Sequence, residues 1–124
     1  MKTKSRTLTE QELEITKVIW ELRAAIVRDV YEALLRRRKI AYTTVMTMMN
    51  ILESKQYLKK RSDGRAYVYQ ATRPRYEVIR GMVREFVDRV FNGSAESLLL
   101  YLARDRRLSN KELEEIARKI EETG

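Results

Sequence analysis

The chain has 124 residues, 44% of them apolar, which suits one or two small domains with modest cores. Cysteine and histidine are both absent, which removes disulfides, thiol chemistry and the usual ligands for zinc or copper. The formal charge of +8 is unevenly placed: residues 1–74 carry 16 Lys and Arg against 8 Asp and Glu, whereas residues 75–124 carry 10 of each. A positive charge confined to one part of a chain points to a polyanion partner, nucleic acid before membrane lipid.

No run of 18 apolar residues is present, so no membrane span is expected. The start, MKTKSRTLTE, is charged but has no apolar segment, so no secretory signal is visible and a cytoplasmic protein is expected. Residues 1–7 are polar, basic and without periodicity, and are expected to form a flexible arm. Thr9 followed by Glu12 is a capping box that starts a first helix, with Leu8 and Leu13 placed as a hydrophobic staple. Ile15, Val18, Ile19 and Leu22 repeat at helical spacing and define its buried face; Leu13 and Trp20 widen that face. After a short connection at 23–25, a second helix is expected over 26–38, with Val27, Val30, Tyr31, Leu34 and Leu35 inward. It ends in Arg36, Arg37, Arg38 and Lys39. Cations suit a helix C-terminus, but four in a row exceed what capping needs, so part of the run is expected on a phosphate backbone.

Residues 41–71 are the centre of the design. A third helix is expected to begin at Thr43 or Thr44, one of them serving as N-cap, and to end near Lys55. Val45, Met48, Met49 and Leu52 form its apolar face. The opposite face shows Thr43, Thr44, Met46, Thr47 and Asn50, short side chains with little charge. Such groups can enter a groove: threonine bonds base edges or phosphates and meets thymine methyls, and asparagine pairs with adenine N6 and N7. Two strands should follow at 57–62 and 65–71, joined by Asp63-Gly64, a strong signal for a type I′ hairpin. The tyrosines at 57, 67 and 69 and Val68 are expected to pack the sheet on the helices. Lys59, Lys60, Arg61 and Arg65 crowd the tip; like charges opposed across a hairpin destabilise it, so a polyanion is expected to lie against them.

Pro74, the only proline, falls where the charge balance changes and is taken as the domain boundary, giving units 8–73 and 74–124. The tail reads as three helices. The first spans 75–91, Asn92-Gly93 stops it, Ser94 caps the second, and Leu108 to Leu113 repeats the staple and capping box before the third. The tail's apolar surface exceeds what three short helices can bury, so a homodimer is expected through Val83, Phe86, Val87, Val90, Phe91, Leu98, Leu99, Leu102, Leu113, Ile116 and Ile120, the alternative being that the tail folds back on the N-terminal domain. The fold class is mainly α with a small β-hairpin wing: a winged helix-turn-helix followed by a three-helix dimerisation region.

The segments LTEQELEITKVIW, VRDVYEAL, AYTTVMTMMNILESKQYLKK, SDGRAYVYQA and the tail from FVDRVFNGS to LSNKELEEI resemble the penicillinase repressor (BlaI/MecI/CopY) family of bacterial transcriptional repressors, from residue 8 to about 122. The resemblance implies a repressor that binds a pseudo-palindromic operator, with Thr43, Thr44, Met46 and Thr47 at the family's recognition-helix positions. Family members often carry Arg or Lys where this chain has Ile51, and Gly where it has Gln56. The copper-responsive members' cysteine motif is absent. So is the Asn-Phe bond at which the β-lactam-responsive members are cleaved, the corresponding stretch reading Leu100-Tyr101-Leu102. A membrane sensor or protease acting upstream is the further partner the family suggests.

The favoured function is therefore a dimeric, sequence-specific DNA-binding repressor without a cofactor or metal. Thr43, Thr44, Met46, Thr47 and Asn50 are the base-reading candidates. Arg36, Arg37, Arg38, Lys39, Tyr42, Lys59, Lys60, Arg61 and Arg65 are the backbone candidates. The alternative is a basic protein-interaction module docking an acidic partner. Catalysis is not expected: no acid-base or nucleophile constellation appears, and Glu10, Glu12 and Glu14 are explained by a helix N-terminus.

Overall fold

In this computed structural model, residues 8–123 are described, and the arm expected at 1–7 lies outside them. Their order is α1 (Glu10–Leu22), α2 (Val27–Leu35), α3 (Tyr42–Ser54), β1 (Leu58–Asp63), β2 (Ala66–Ala71), α4 (Arg75–Phe91), α5 (Ala95–Arg104) and α6 (Asn110–Thr123). The chain divides into two compact units, the first ending at Ile79 and the second beginning at Arg80.

In the first unit, Thr9 caps α1 as its sequence demands. Glu12 N–H donates to Thr9 Oγ1 at 3.1 Å, and Thr9 N–H donates to the Glu12 carboxylate at 3.0 Å. Ile15, Val18 and Ile19 are buried, but Leu22, at the end of the expected stripe, is exposed because α1 stops there. Helix α2 is shorter than expected. It ends at Leu35, so Arg36 to Lys39 form a turn beyond it, and Leu35 itself is exposed. Val30 and Leu34 from α2, and Val45, Met49 and Leu52 from α3, complete the helical core. Each such side chain contributes roughly 1.5–3 kcal/mol by leaving water. Trp20, expected in the core, is only half-buried, its indole N–H reaching Arg73 O at 3.4 Å.

Helix α3 begins one residue earlier than expected. Ala41 is its N-cap, without a side-chain hydrogen bond, so neither Thr43 nor Thr44 caps it. Its end is a Schellman motif: Gln56 N–H donates to Glu53 O at 3.0 Å and Tyr57 N–H to Leu52 O at 2.9 Å. Gln56 takes φ +69° there, the position usually held by glycine.

The hairpin is antiparallel, with Lys60 opposite Tyr69, Arg61 opposite Val68 and Asp63 opposite Ala66. The loop is thus Gly64-Arg65, one residue later than expected. Only Gly64 has positive φ, +78°, so the turn is not type I′, and Arg65 N–H closes it onto Asp63 O at 3.0 Å. This register opposes no cation to another cation, so the expected charge crowding across the strands does not occur. Leu58 and Tyr69 point into the core; Tyr67, expected to pack inward, is exposed. Ala25 adds a third, one-residue rung, exchanging two backbone hydrogen bonds of 3.0 and 2.8 Å with Tyr69. That rung fixes the hairpin beside α2.

In the second unit, α4 stops at Asn92-Gly93, both at positive φ, and Ser94 caps α5 through Ser97 N–H at 3.1 Å. Ser109 and Glu112 form the capping box of α6. Phe91 meets Phe86 and Tyr101 edge to face. Among the described residues, no helix is long and apolar enough to cross a membrane.

Candidate nucleic-acid interface

With its apolar face in the core, α3 has only its other face for solvent. Thr43, Thr44, Met46, Thr47 and Asn50 are all exposed there. From Tyr42 to Asn50 the helix carries no charged residue, so no carboxylate on this face repels a polyanion. Because Ala41 is the cap, both threonine side chains at the first turn are left for an external ligand. The N–H groups of that turn add partial positive charge at the same end.

The wing adds the cations. Lys59, Lys60, Arg61 and Arg65 are exposed. Lys60 Nζ lies 4.5 Å from the Tyr67 ring centroid, a cation–π contact that orients it on the face toward α3. Strand alternation puts Lys59 and Arg61 on the opposite, outer face. Between α3 and the wing runs a groove of about 390 Å³ lined by Ile26, Val27, Arg28, Tyr42, Met46, Asn50, Lys60, Arg65, Ala66, Tyr67 and Tyr69. Met46 and Asn50 from the base-reading set thus share one hollow with Tyr42, Lys60 and Arg65 from the backbone set.

The run after α2 divides. Arg38 forks onto Glu14, with Nη2 to Oε1 at 2.8 Å and Nε to Oε2 at 3.4 Å. The hydrogen bond from Arg38 holds the Glu14 carboxyl below its ordinary value, outweighing partial burial. Arg38 therefore ties the turn to α1, and Arg36, Arg37 and Lys39 are the exposed cations without that tether. Tyr42 packs edge to face on Tyr31, with centroids 5.3 Å apart.

Three features were missed in the sequence. Arg28 Cζ lies 6.0 Å from the Tyr42 centroid and lines the groove while pairing with Glu32. A cation in the first turn of a helix opposes the helix dipole, and that anomaly was the available signal. Ile51, Ser54 and Lys55 form a second hollow with Thr47 and Asn50. Glu12, only 4% exposed, binds Lys55 Nζ through both carboxylate oxygens at 2.9 and 3.1 Å. Burial raises its pKa, but the Thr9 N–H and Lys55 together bring it below the ordinary value. This pair pins the end of α3 to the start of α1. Its partners lie 43 residues apart, so no local pattern announces it.

In the second unit, Val83, Phe86, Val90, Leu99, Ile116 and Ile120 are exposed, as are Leu100 and Tyr101. Phe91, Leu98, Leu102 and Leu113 are half-buried. Val87 is buried within the single chain, so it is not part of the free apolar surface expected for it.

Three helices, a polar α3 face open to solvent and a basic hairpin beside it make a winged helix-turn-helix. The chain belongs to the penicillinase repressor family, whose model matches residues 8–122. It is 28% identical over 115 residues to a penicillinase repressor of Bacillus licheniformis, spanning 93% of this chain and 90% of that protein. It is 38% identical to the transcriptional regulator BlaI of Mycobacterium tuberculosis over 76 residues, 60% of this chain and 55% of that protein. It is similar to the solution structure of the DNA-binding domain of the repressor BlaI, with a TM-score of 0.53 and 27% identity, covering 60% of this chain and 90% of that domain.

Proposed function

We propose that this chain is a cytoplasmic, homodimeric transcriptional repressor that binds a pseudo-palindromic DNA operator through α3 and the wing. The observation that carries it is the α3 surface: an uncharged, exposed row of Thr43, Thr44, Met46, Thr47 and Asn50, flanked by wing cations, in a member of a repressor family. Thr43, Thr44, Met46, Thr47 and Asn50 meet base edges in the major groove, and Lys59, Lys60, Arg61, Arg65, Arg36, Arg37, Lys39 and Tyr42 hold phosphates. Two copies place their helices in successive major grooves about 34 Å apart. The protein acts by occupying DNA and needs no catalytic residue, metal or cofactor. An acidic protein partner has no comparable feature in its favour, since an acidic peptide would not require an uncharged face on α3.

Fluorescence anisotropy on the duplex upstream of the chain's own coding sequence tests this, against a scrambled duplex and across a salt series. Preference for the upstream duplex is expected, with affinity falling steeply as salt rises because counterions are released. Equal binding to both duplexes, or a flat salt response, would rule the proposal out.

A further inference from the structure

Asn50 stands where two hollows meet. It lines the groove beside the wing together with Met46 and Tyr69, and also the hollow of Thr47, Ile51 and Lys55. Its residue is exposed, yet its Oδ1 accepts a hydrogen bond from the Tyr69 hydroxyl at 3.0 Å. Tyr69 is a rigid donor: it is 3% exposed, and its backbone is locked to Ala25 on both sides. Burial pushes its phenol above the ordinary value, against the smaller pull of Lys60, so the hydroxyl keeps its proton at neutral pH.

An exposed asparagine ordinarily has a broad terminal torsion and can offer adenine both its oxygen and its nitrogen. Here the Tyr69 hydroxyl occupies one lone pair of the oxygen and turns it toward the wing, which fixes the amide with its NH₂ as the group offered outward. We propose that Tyr69 is a positioning residue for DNA specificity: it holds Asn50 as a donor, so that Asn50 reads guanine, with its adjacent O6 and N7 acceptors, rather than adenine. This rests on α3 being the DNA-reading helix.

The test is binding-site selection from a randomised duplex pool by the 124-residue chain, followed by sequencing. Wild type should enrich guanine at one position per half-site, and Asn50→Ala should lose that preference alone. Tyr69→Phe keeps the ring in the core and removes only the hydroxyl. It should lower the guanine-to-adenine ratio at that position by roughly fivefold to tenfold, the low end of one base contact, as the freed amide turns to pair with adenine. Asn50→Asp can still accept from Tyr69 but donates nothing, and should move the preference to cytosine, whose N4 is a donor. Adenine at the Asn50-dependent position in wild type, no position changed by Asn50→Ala, no move to cytosine in Asn50→Asp, or an unchanged ratio in a Tyr69→Phe variant would overturn the assignment. If Tyr69→Phe does not fold, the wild-type base at the Asn50-dependent position decides: guanine upholds the donor orientation that the Tyr69 hydroxyl sets, and adenine overturns it. Absence of any enriched sequence with wild type would instead bring down the DNA-reading role of α3, and this inference with it.

Discussion

Gln56 closes α3 at φ +69°, where a β-carbon crowds the backbone and costs about 1–2 kcal/mol. Glycine relieves that strain but has more unfolded-state freedom to lose. Gln56→Gly should therefore stabilise the winged-helix unit by about 0.5–1 kcal/mol, raising the urea midpoint followed by Trp20 fluorescence. Trp20 is the sole tryptophan and reports on this unit. A lower midpoint would mean the glutamine side chain contributes more than its backbone costs. Glu12 and Lys55 give a second measurement at this scale. The Glu12 carboxyl titrates lower in the folded chain than in the unfolded one: burial works against its charge, but the Thr9 N–H and Lys55 prevail. A depressed folded value adds stability above the unfolded value near ~4.3, and that stability is lost as pH falls through the folded value. Lys55→Met should cost about 2 kcal/mol at neutral pH, less than the roughly 3–5 kcal/mol of a fully enclosed pair because Lys55 keeps a wet edge. It should also flatten the acid limb of the stability-pH curve. A variant with the wild-type acid limb would show that Lys55 does not set the charge state of Glu12. The strain at Gln56 could be suspected from its place at a helix end, whereas the Glu12–Lys55 pair could not, because its attraction depends on a meeting that only the fold arranges.

At the scale of elements, α3 and the wing divide the work of binding. Thr47 is exposed mid-helix, and Lys59 and Arg61 sit on the outer face of β1, opposite Gln70 and Val68. Thr47→Ala should reduce discrimination between the upstream duplex and scrambled DNA by roughly 1 kcal/mol, the low end of a base contact. Equal losses on both duplexes would make Thr47 a phosphate contact. Removing Lys59 and Arg61 together should weaken both duplexes alike and reduce the slope of log affinity against log salt by about 2, one per phosphate released. An unchanged slope would take the outer face of the wing off the DNA backbone. The helical faces of these elements were legible from spacing: Ile15, Val18 and Ile19, or Val45, Met49 and Leu52, could form one stripe only in a helix. Their ends were less so. The second helix stops before its cations, and Ala41 caps the third although two threonines follow, because cap geometry depends on the direction of the entering chain as well as on the residue. The hairpin slipped by one residue for a related reason. Asp63-Gly64 suits type I′, but the strands pair so that Gly64-Arg65 forms the loop; Tyr67, on the same face as Tyr69 but nearer the tip, stays exposed while Tyr69 fills the core.

For the whole molecule, the open question is how much DNA one chain can hold. A single winged helix reads one half-site, and joining two copies makes the second contact intramolecular, which raises affinity by about 10²–10⁴ when the geometry allows both. The exposed apolar side chains of the second unit are the surface proposed for that joining. Val83 and Val90, seven residues apart on α4, are 50% and 49% exposed, and Ile116 and Ile120 lie one turn apart on α6. Carboxylates at these exposed sites can be solvated in a free chain but would be driven from water in an apolar contact. The double variant Val83→Glu with Val90→Glu should therefore keep the helical circular dichroism of the wild type and sediment as a monomer. Its binding to the upstream duplex should fall by at least a hundredfold, the low end of the avidity gain, to the level of an isolated half-site. A half-site duplex should bind wild type and variant alike, since α3 and the wing are untouched. If the variant still sediments as a dimer, the exposed α4 stripe is not what joins two copies. A monomer with wild-type affinity for the full site would instead show that dimerisation is not what sets operator binding.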